Sequence, residues 1–241
     1  MFNRAYKRPK PKDEAEKPFW ISYSDLMTAC MTLFLVVMAV TIVFLENKYK
    51  PAPDLRGAAI KSCFSELQED SKAKFPEAKV IYNLGDSIRI DLGSIVNFKS
   101  GDYQITPEGT DFLRSYIPSI LHRVKSESCK KYFRRVVVEG YTDTDGDYLT
   151  NLKLSLDRSR QVVCSLSPKV QSNIFLNANE QNEVRDLFLV GGFSFNSLKP
   201  SKSESRRAEL KLEFWQENEE AKYKRENPNK IDLSNKAFGN C

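Results

Sequence analysis

Histidine is almost absent from this chain of 241 residues: His122 stands alone. One imidazole excludes a multi-histidine zinc site, and no serine or cysteine motif pairs with it as a nucleophile would with its base. The five cysteines contain no Cys-x-x-Cys spacing and form no cluster with His122, so no metal site is expected. Neither a P-loop nor a dinucleotide-binding glycine fingerprint occurs. The chain is therefore expected to be no enzyme and to need no cofactor. Basic charge is in only slight excess, with a formal net charge of +5 spread thinly and partly gathered in the first residues. That distribution excludes direct nucleic-acid binding as the main role.

Long apolar runs are also scarce, with one exception. Mean hydropathy is −0.48 and 29% of residues are charged, the composition of a soluble domain. From Ile21 to Leu45, however, the chain is nearly all apolar, long enough at about 1.5 Å per residue to cross a hydrocarbon core of about 30 Å. Its continuation through Leu45 into Glu46-Asn47-Lys48-Tyr49-Lys50 reads as a retained anchor, since a signal peptide has a shorter core and a small-residue cleavage site. Arg4, Lys7, Arg8, Lys10, Lys12 and Lys17 crowd its amino side, and Phe19-Trp20 marks the interface. The positive-inside rule puts residues 1–20 in the cytoplasm and everything after about residue 46 outside it.

Asp25 is the one charged side chain within that run. A carboxylate at membrane depth costs roughly 2.5–3.5 kcal/mol on insertion scales, so it persists where an ion, a partner or a pore uses it. It lies five residues beyond Trp20, about 7 Å deeper by helix rise. Ser22, Asp25, Ala29, Thr32, Val36 and Ala39 recur at steps of three and four, a stripe of mostly small side chains that lets another helix approach.

Five segments follow from composition and pattern. Residues 1–18, rich in Lys, Pro and Glu, read as a disordered cytoplasmic leader, and 19–46 as the membrane helix. Residues 47–77 form a linker in which Pro51 and Pro53 break the helix, Asp54 caps the next, and 55–73 are amphipathic. That helix is expected to lie on the bilayer, pair with a copy of itself or cover a pore mouth. Residues 78–215 alternate strands and helices, as in one layered α/β domain: strands from Lys79, at Ser87–Leu92, at Arg135–Gly140, at Phe188–Val190 and at Arg207–Phe214. Helices are expected from the Thr106-Pro107 start to about Val124, over 151–166 and near 178–187. The charged tail from Gln216 to Cys241 reads as poorly ordered. Cys63, Cys129, Cys164 and Cys241 fall on the oxidising side, where four cysteines allow three pairings. A bond from Cys164 to Cys241 would hold down the tail.

Two polar constellations remain. Asp143-Thr144-Asp145-Gly146-Asp147 hints at a calcium loop, but its glycine comes too early and no glutamate closes it at the twelfth position. Lys130, Lys131, Arg134 and Arg135 read as a solvated edge. Asp143 and Arg158 either pair with each other or with solvent, or supply the carboxylate and guanidinium that a zwitterionic ligand requires, the planar fork of arginine matching a carboxylate.

The string Trp20-Ile21-Ser22-Tyr23-Ser24-Asp25-Leu26-Met27-Thr28-Ala29 resembles the start of the membrane helix in flagellar stator B subunits of the MotB family. Gly140-Tyr141-Thr142-Asp143, then Asn151-Leu152-Lys153-Leu154-Ser155-Leu156-Asp157-Arg158, then Ser205-Arg206-Arg207-Ala208-Glu209 is similar to the OmpA-type peptidoglycan-binding pattern, with Ser205 where that family usually has Asn. The resemblance implies a single-pass membrane helix plus an OmpA-like periplasmic domain, with Asp25 as carrier of a proton or sodium ion. It further implies that Asp143 and Arg158 grip the diamino acid of the peptidoglycan stem, that Asn151 and Leu154 complete the pocket, and that Arg207 buttresses it. The implied partners are peptidoglycan, the bacterial inner membrane, a second copy of the chain and a multi-pass A subunit, five copies to two. Within the superfamily, Glu14–Tyr23, Phe34–Met38, Glu139–Gly146 and Phe188–Asn196 resemble the B subunits of Zorya anti-phage defence systems. That family implies a membrane motor that helps detect phage attack and signals inward to a nuclease. A flagellar stator subunit and a passive OmpA-type wall tether are the alternatives.

Overall fold

The computed structural model describes residues 16–48, 55–83, 87–167, 174–216, 218–226 and 236–239. They fall into two compact units, Met1–Pro53 and Asp54–Cys241. The first is a helix, α1 (Glu16–Lys48), whose stretch Tyr23–Leu45 is long and apolar enough to cross a membrane, with mean hydropathy 2.6. Every side chain from 23 to 45 is exposed. A helix that is apolar on all sides and unburied matches lipid as its solvent.

The second unit is an α/β sandwich. Its helices are α2 (Leu55–Lys74), α3 (Pro107–Arg123), α4 (Glu127–Lys130), α5 (Tyr148–Cys164), α6 (Ala178–Leu187), α7 (Lys202–Ser205) and α8 (Glu219–Glu226). Its strands are β1 (Lys79–Asn83), β2 (Ser87–Asp91), β3 (Phe133–Gly140), β4 (Phe188–Gly192) and β5 (Ala208–Phe214). They form one sheet in the order β1-β2-β5-β3-β4, antiparallel except for the β3–β4 pair. The parallel pair is bridged by α5 and α6, as a crossover connection requires. Period-two alternation sends Ile88, Ile90, Val136, Val138, Leu210 and Leu212 into the core.

Local signals act where expected. Thr106 caps α3, its hydroxyl accepting from the Gly109 amide at 3.1 Å, with Pro107 in the first turn. Asp147 caps α5, so that helix begins at Tyr148, three residues before the expected start.

Three features differ from the sequence reading. The apolar stripe of α2, expected at a membrane, a second copy or a pore mouth, belongs to the domain core: Ile60, Cys63 and Leu67 are buried there. A Cys63–Cys129 disulfide, the Arg123 pairs with Glu66 and Asp70, and a 2.7 Å Ser71–Tyr116 hydrogen bond hold α2 in place. The proposed Asp54 cap lies outside the described residues. The tail also contributes structure. Helix α8 returns Glu219 to Arg134 at 2.7 Å, and Phe238 packs against the core. The carbonyls of Lys236 and Gly239 accept from Arg185 and Ser167, each at 3.1 Å. Phe238 and the carbonyls of Lys236 and Gly239 thus fasten residues 236–239. Cys164 is disulfide-bonded; its expected partner, Cys241, lies outside the described residues. Finally, Arg134 and Arg135 of the basic cluster each meet an acid, Glu219 and Glu213.

Candidate functional site

Three chain segments converge where β3 ends. Gly140 permits this, because a Cβ there would lie 1.9 Å from the Ser155 carbonyl oxygen of α5. Helix and strand therefore touch backbone to backbone. Beyond Gly140 the chain is gripped on both sides: the Tyr141 amide donates to the Arg207 carbonyl at 3.0 Å and the Thr142 amide to the Ser194 carbonyl at 2.9 Å. Ser194 adopts a left-handed φ of 51° and its amide donates to Ser155 Oγ at 3.0 Å, closing the seam between β4 and α5.

Asp143 follows in the same buried corner, 5% exposed. Its Oδ1 accepts from the Asp145 amide at 3.1 Å, and its Oδ2 accepts from Arg206 Nη1 at 2.8 Å. Burial opposes the charge on Asp143. The Arg206 hydrogen bond, the Asp145 amide and the nearby Arg206 and Arg158 charges outweigh it and hold the pKa below its ordinary value. Gly146, at φ +93°, turns the acidic loop. Asn151 pins that loop, donating through Nδ2 to the carbonyls of Asp145 at 2.8 Å and Asp147 at 3.1 Å. Lys202 of α7 pairs with Asp145, so two basic groups from residues 202–206 face two acids of the loop.

Arg158, on α5, is fully buried. Its Nε, Nη1 and Nη2 donate to the carbonyls of Asp102 at 2.9 Å, Tyr141 at 2.8 Å and Lys99 at 3.0 Å. The guanidinium also lies 5.1 Å from the Phe98 ring centroid. Burial pushes its pKa down to about 10 against the pull of Asp143. Asp143 and Arg158 thus share a corner and sense each other's charge, yet they make no ion pair.

Arg207 is buried elsewhere in the cluster. Its guanidinium lies over the Tyr141 ring at 4.1 Å, with Nε donating to Glu209 Oε1 at 2.6 Å and Nη1 to the Ser197 carbonyl at 3.0 Å. Glu139 and Glu209 face each other across β3 and β5, and Arg89 bridges them. Tyr141 donates to Glu139 Oε2 at 2.7 Å. This network carries the segment that leads to Asp143. Leu154 is half-buried on α5.

The structure therefore brings Asp143, Asn151, Arg158 and Arg207 around one corner. The sequence reading missed Arg206, Lys202 and the Phe98–Asp102 carbonyls. Asp25 belongs to the first unit and is exposed on α1. Near it, the hydroxyls of Thr28 and Thr32 donate to the carbonyls of Ser24 and Ala29, at 2.8 and 2.9 Å.

The chain thus joins a single apolar span carrying one acid to a separate α/β sandwich. Residues 3–51 match the family described as membrane MotB of the proton-channel complex MotA/MotB. The chain is 42% identical over 223 residues to the Zorya protein ZorB of Escherichia coli O139:H28, covering 89% of this chain and 88% of that protein. It belongs to the ZorB family. Among solved structures, a putative MotB-like protein from Desulfovibrio vulgaris overlaps 67% of this chain and 99% of its own, at 17% identity and a TM-score of 0.46. The cell wall anchor of the type VI secretion system from Pseudomonas aeruginosa overlaps 63% of this chain and 97% of its own, at 18% identity and a TM-score of 0.41.

Proposed function

We propose that this chain is the wall-anchored, ion-carrying B subunit of a membrane motor used in anti-phage defence. The observation that carries the reading is the joining, in one chain, of a carboxylate within a membrane-length helix and an acid–arginine corner in a separate α/β unit. Asp25 carries a proton or sodium ion; Asp143 and the arginines around it bind the diamino acid of the peptidoglycan stem, with Asn151 and Leu154 shaping the pocket and Arg207 supporting it.

The two ends depend on each other mechanically. One charge crossing 100 mV releases about 2.3 kcal/mol, which turns a partner only if something else is held still. A single helix cannot seal an ion path, so the chain works as a dimer with a multi-pass A subunit, five copies to two. Its leader is cytoplasmic, its helix spans the bacterial inner membrane, and its domain stands in the periplasm. Membership of the ZorB family supports defence over motility.

The test replaces Asp25 with Asn in cells carrying the whole system, with phage plating as the readout. Protection is expected to disappear while membrane assembly and sedimentation with purified cell-wall sacculi stay normal. Undiminished protection would instead make the chain a passive tether.

A further inference from the structure

The first unit joins the α/β unit through the chain at Pro53–Asp54, and Cys30, its only cysteine, is free. Any pull between a membrane helix and a wall-bound domain therefore enters that domain at the first turn of α2. The non-covalent ties of α2 lie in series along it. Arg56 Nε donates to the Trp215 carbonyl at 2.7 Å, Glu66 and Asp70 meet Arg123, and Ser71 bonds Tyr116. Both Arg123 pairs are partly exposed, so water competes for each. Next along the chain is β1, at the edge of the sheet, paired with β2 and with Lys79–Asp91 at the open end of the hairpin. A pull from α2 would open these ties one at a time and then unzip β1.

The Cys63–Cys129 disulfide interrupts that series. It lies in the third turn of α2, and both of its residues are buried, at 0% and 1% exposure. Cys129 belongs to α4, which leads through Lys131 and Tyr132 into β3. β3 is held on both sides, by β5 and β4, and runs to Gly140 and on to Asp143. We infer that this disulfide is a tension strap: it passes a pull on α2 directly to β3 and the Asp143 corner, and keeps β1, β2 and α3 out of the path. The inference rests on the wall-anchored motor reading above. An anchor that lengthens absorbs a motor's displacement instead of opposing it. With the strap, slack is limited to residues 55–62, at most about 30 Å when fully extended; without it, release of α2 and β1 through Asn83 would allow about 100 Å.

The test is optical-tweezers pulling on the full-length protein in detergent, with DNA handles clicked to azide-bearing side chains at position 50 and at exposed position 149, beside the site. Wild type is expected to extend by no more than about 30 Å before the sheet gives way. The double variant Cys63→Ser, Cys129→Ser is expected to extend toward about 100 Å at lower force. Dithiothreitol gives a second reading on the wild-type chain, whether or not the double variant folds. At rest the buried bond resists it. Under a holding force residues 55–62 open, the reagent reduces the bond to two thiols and is itself oxidised to its cyclic disulfide, and the chain then lengthens as the double variant does. A double variant whose first extension matches wild type in force and length overturns the inference, as does reduction no faster under force than at rest. Sedimentation of the same proteins with sacculi separates the parent reading: a wild type that does not bind overturns the wall anchor, whatever the pulling curves show.

Discussion

Arg207 lies over Tyr141, its guanidinium carbon 4.1 Å from the ring centroid, while Glu209 accepts from Nε of the same guanidinium at 2.6 Å. The stack couples the start of β5 to the segment that ends in Asp143. Arg207→Ala would leave the buried Glu209 short of one cation and unsupport the Tyr141 ring. Removing one partner of a buried pair costs about 3–5 kcal/mol. A denaturation midpoint lowered to match is expected, with sacculus binding falling alongside. Arg207→Lys should be intermediate, since it keeps the charge and loses the planar face.

Gly140 has no room for a side chain. In Gly140→Ala the new methyl would meet the Ser155 carbonyl oxygen, which belongs to the backbone of α5 and cannot turn aside. Overpacking of this kind costs about 1–3 kcal/mol. The variant should melt earlier, and its wall binding should weaken more than stability alone explains, because α5 carries both Asn151 and Arg158.

The Cys63–Cys129 bond closes a loop spanning a sequence separation of 66 and staples α2 to the short helix α4. Replacing both cysteines with serine is expected to lower stability by about 2–4 kcal/mol. Hydrogen exchange should rise first along residues 55–74, where the Arg123 pairs and the Ser71–Tyr116 bond would remain as the main ties.

Asp143 also sets an acid limit. Its folded pKa is depressed below the ordinary 3.8, so the stabilisation is complete above the unfolded value and is lost as pH falls through the folded one. Glu213, opposed by burial but held down by Arg135 and Lys211, acts in the same direction. Denaturation midpoints should therefore hold steady from neutral pH to about 4 and drop below it. Asp143→Asn should start lower at neutral pH and fall less steeply.

Features governed by neighbours in sequence were legible before any fold was known. The Tyr23–Leu45 span with its single acid, the Thr106 cap and the alternation along β2 all arise within one helix or strand, from hydropathy, capping chemistry and period. The motif residues Asp143, Asn151, Arg158 and Arg207 could be named only through the resemblance to the OmpA-type pattern, and the fold brings them near one another. Their partners could not. Which arginine faces Asp143, which carbonyls absorb Arg158, and that α2 and Phe238 pack with the core depend on contacts between residues tens of positions apart in the chain. Such contacts are set by the sheet order and by the close approach of α5 at Gly140, and no local pattern encodes them. Sequence by itself determined where charge and apolar surface lie along this protein; only the tertiary structure decided which charges meet, because burial and pairing are properties of the packed chain.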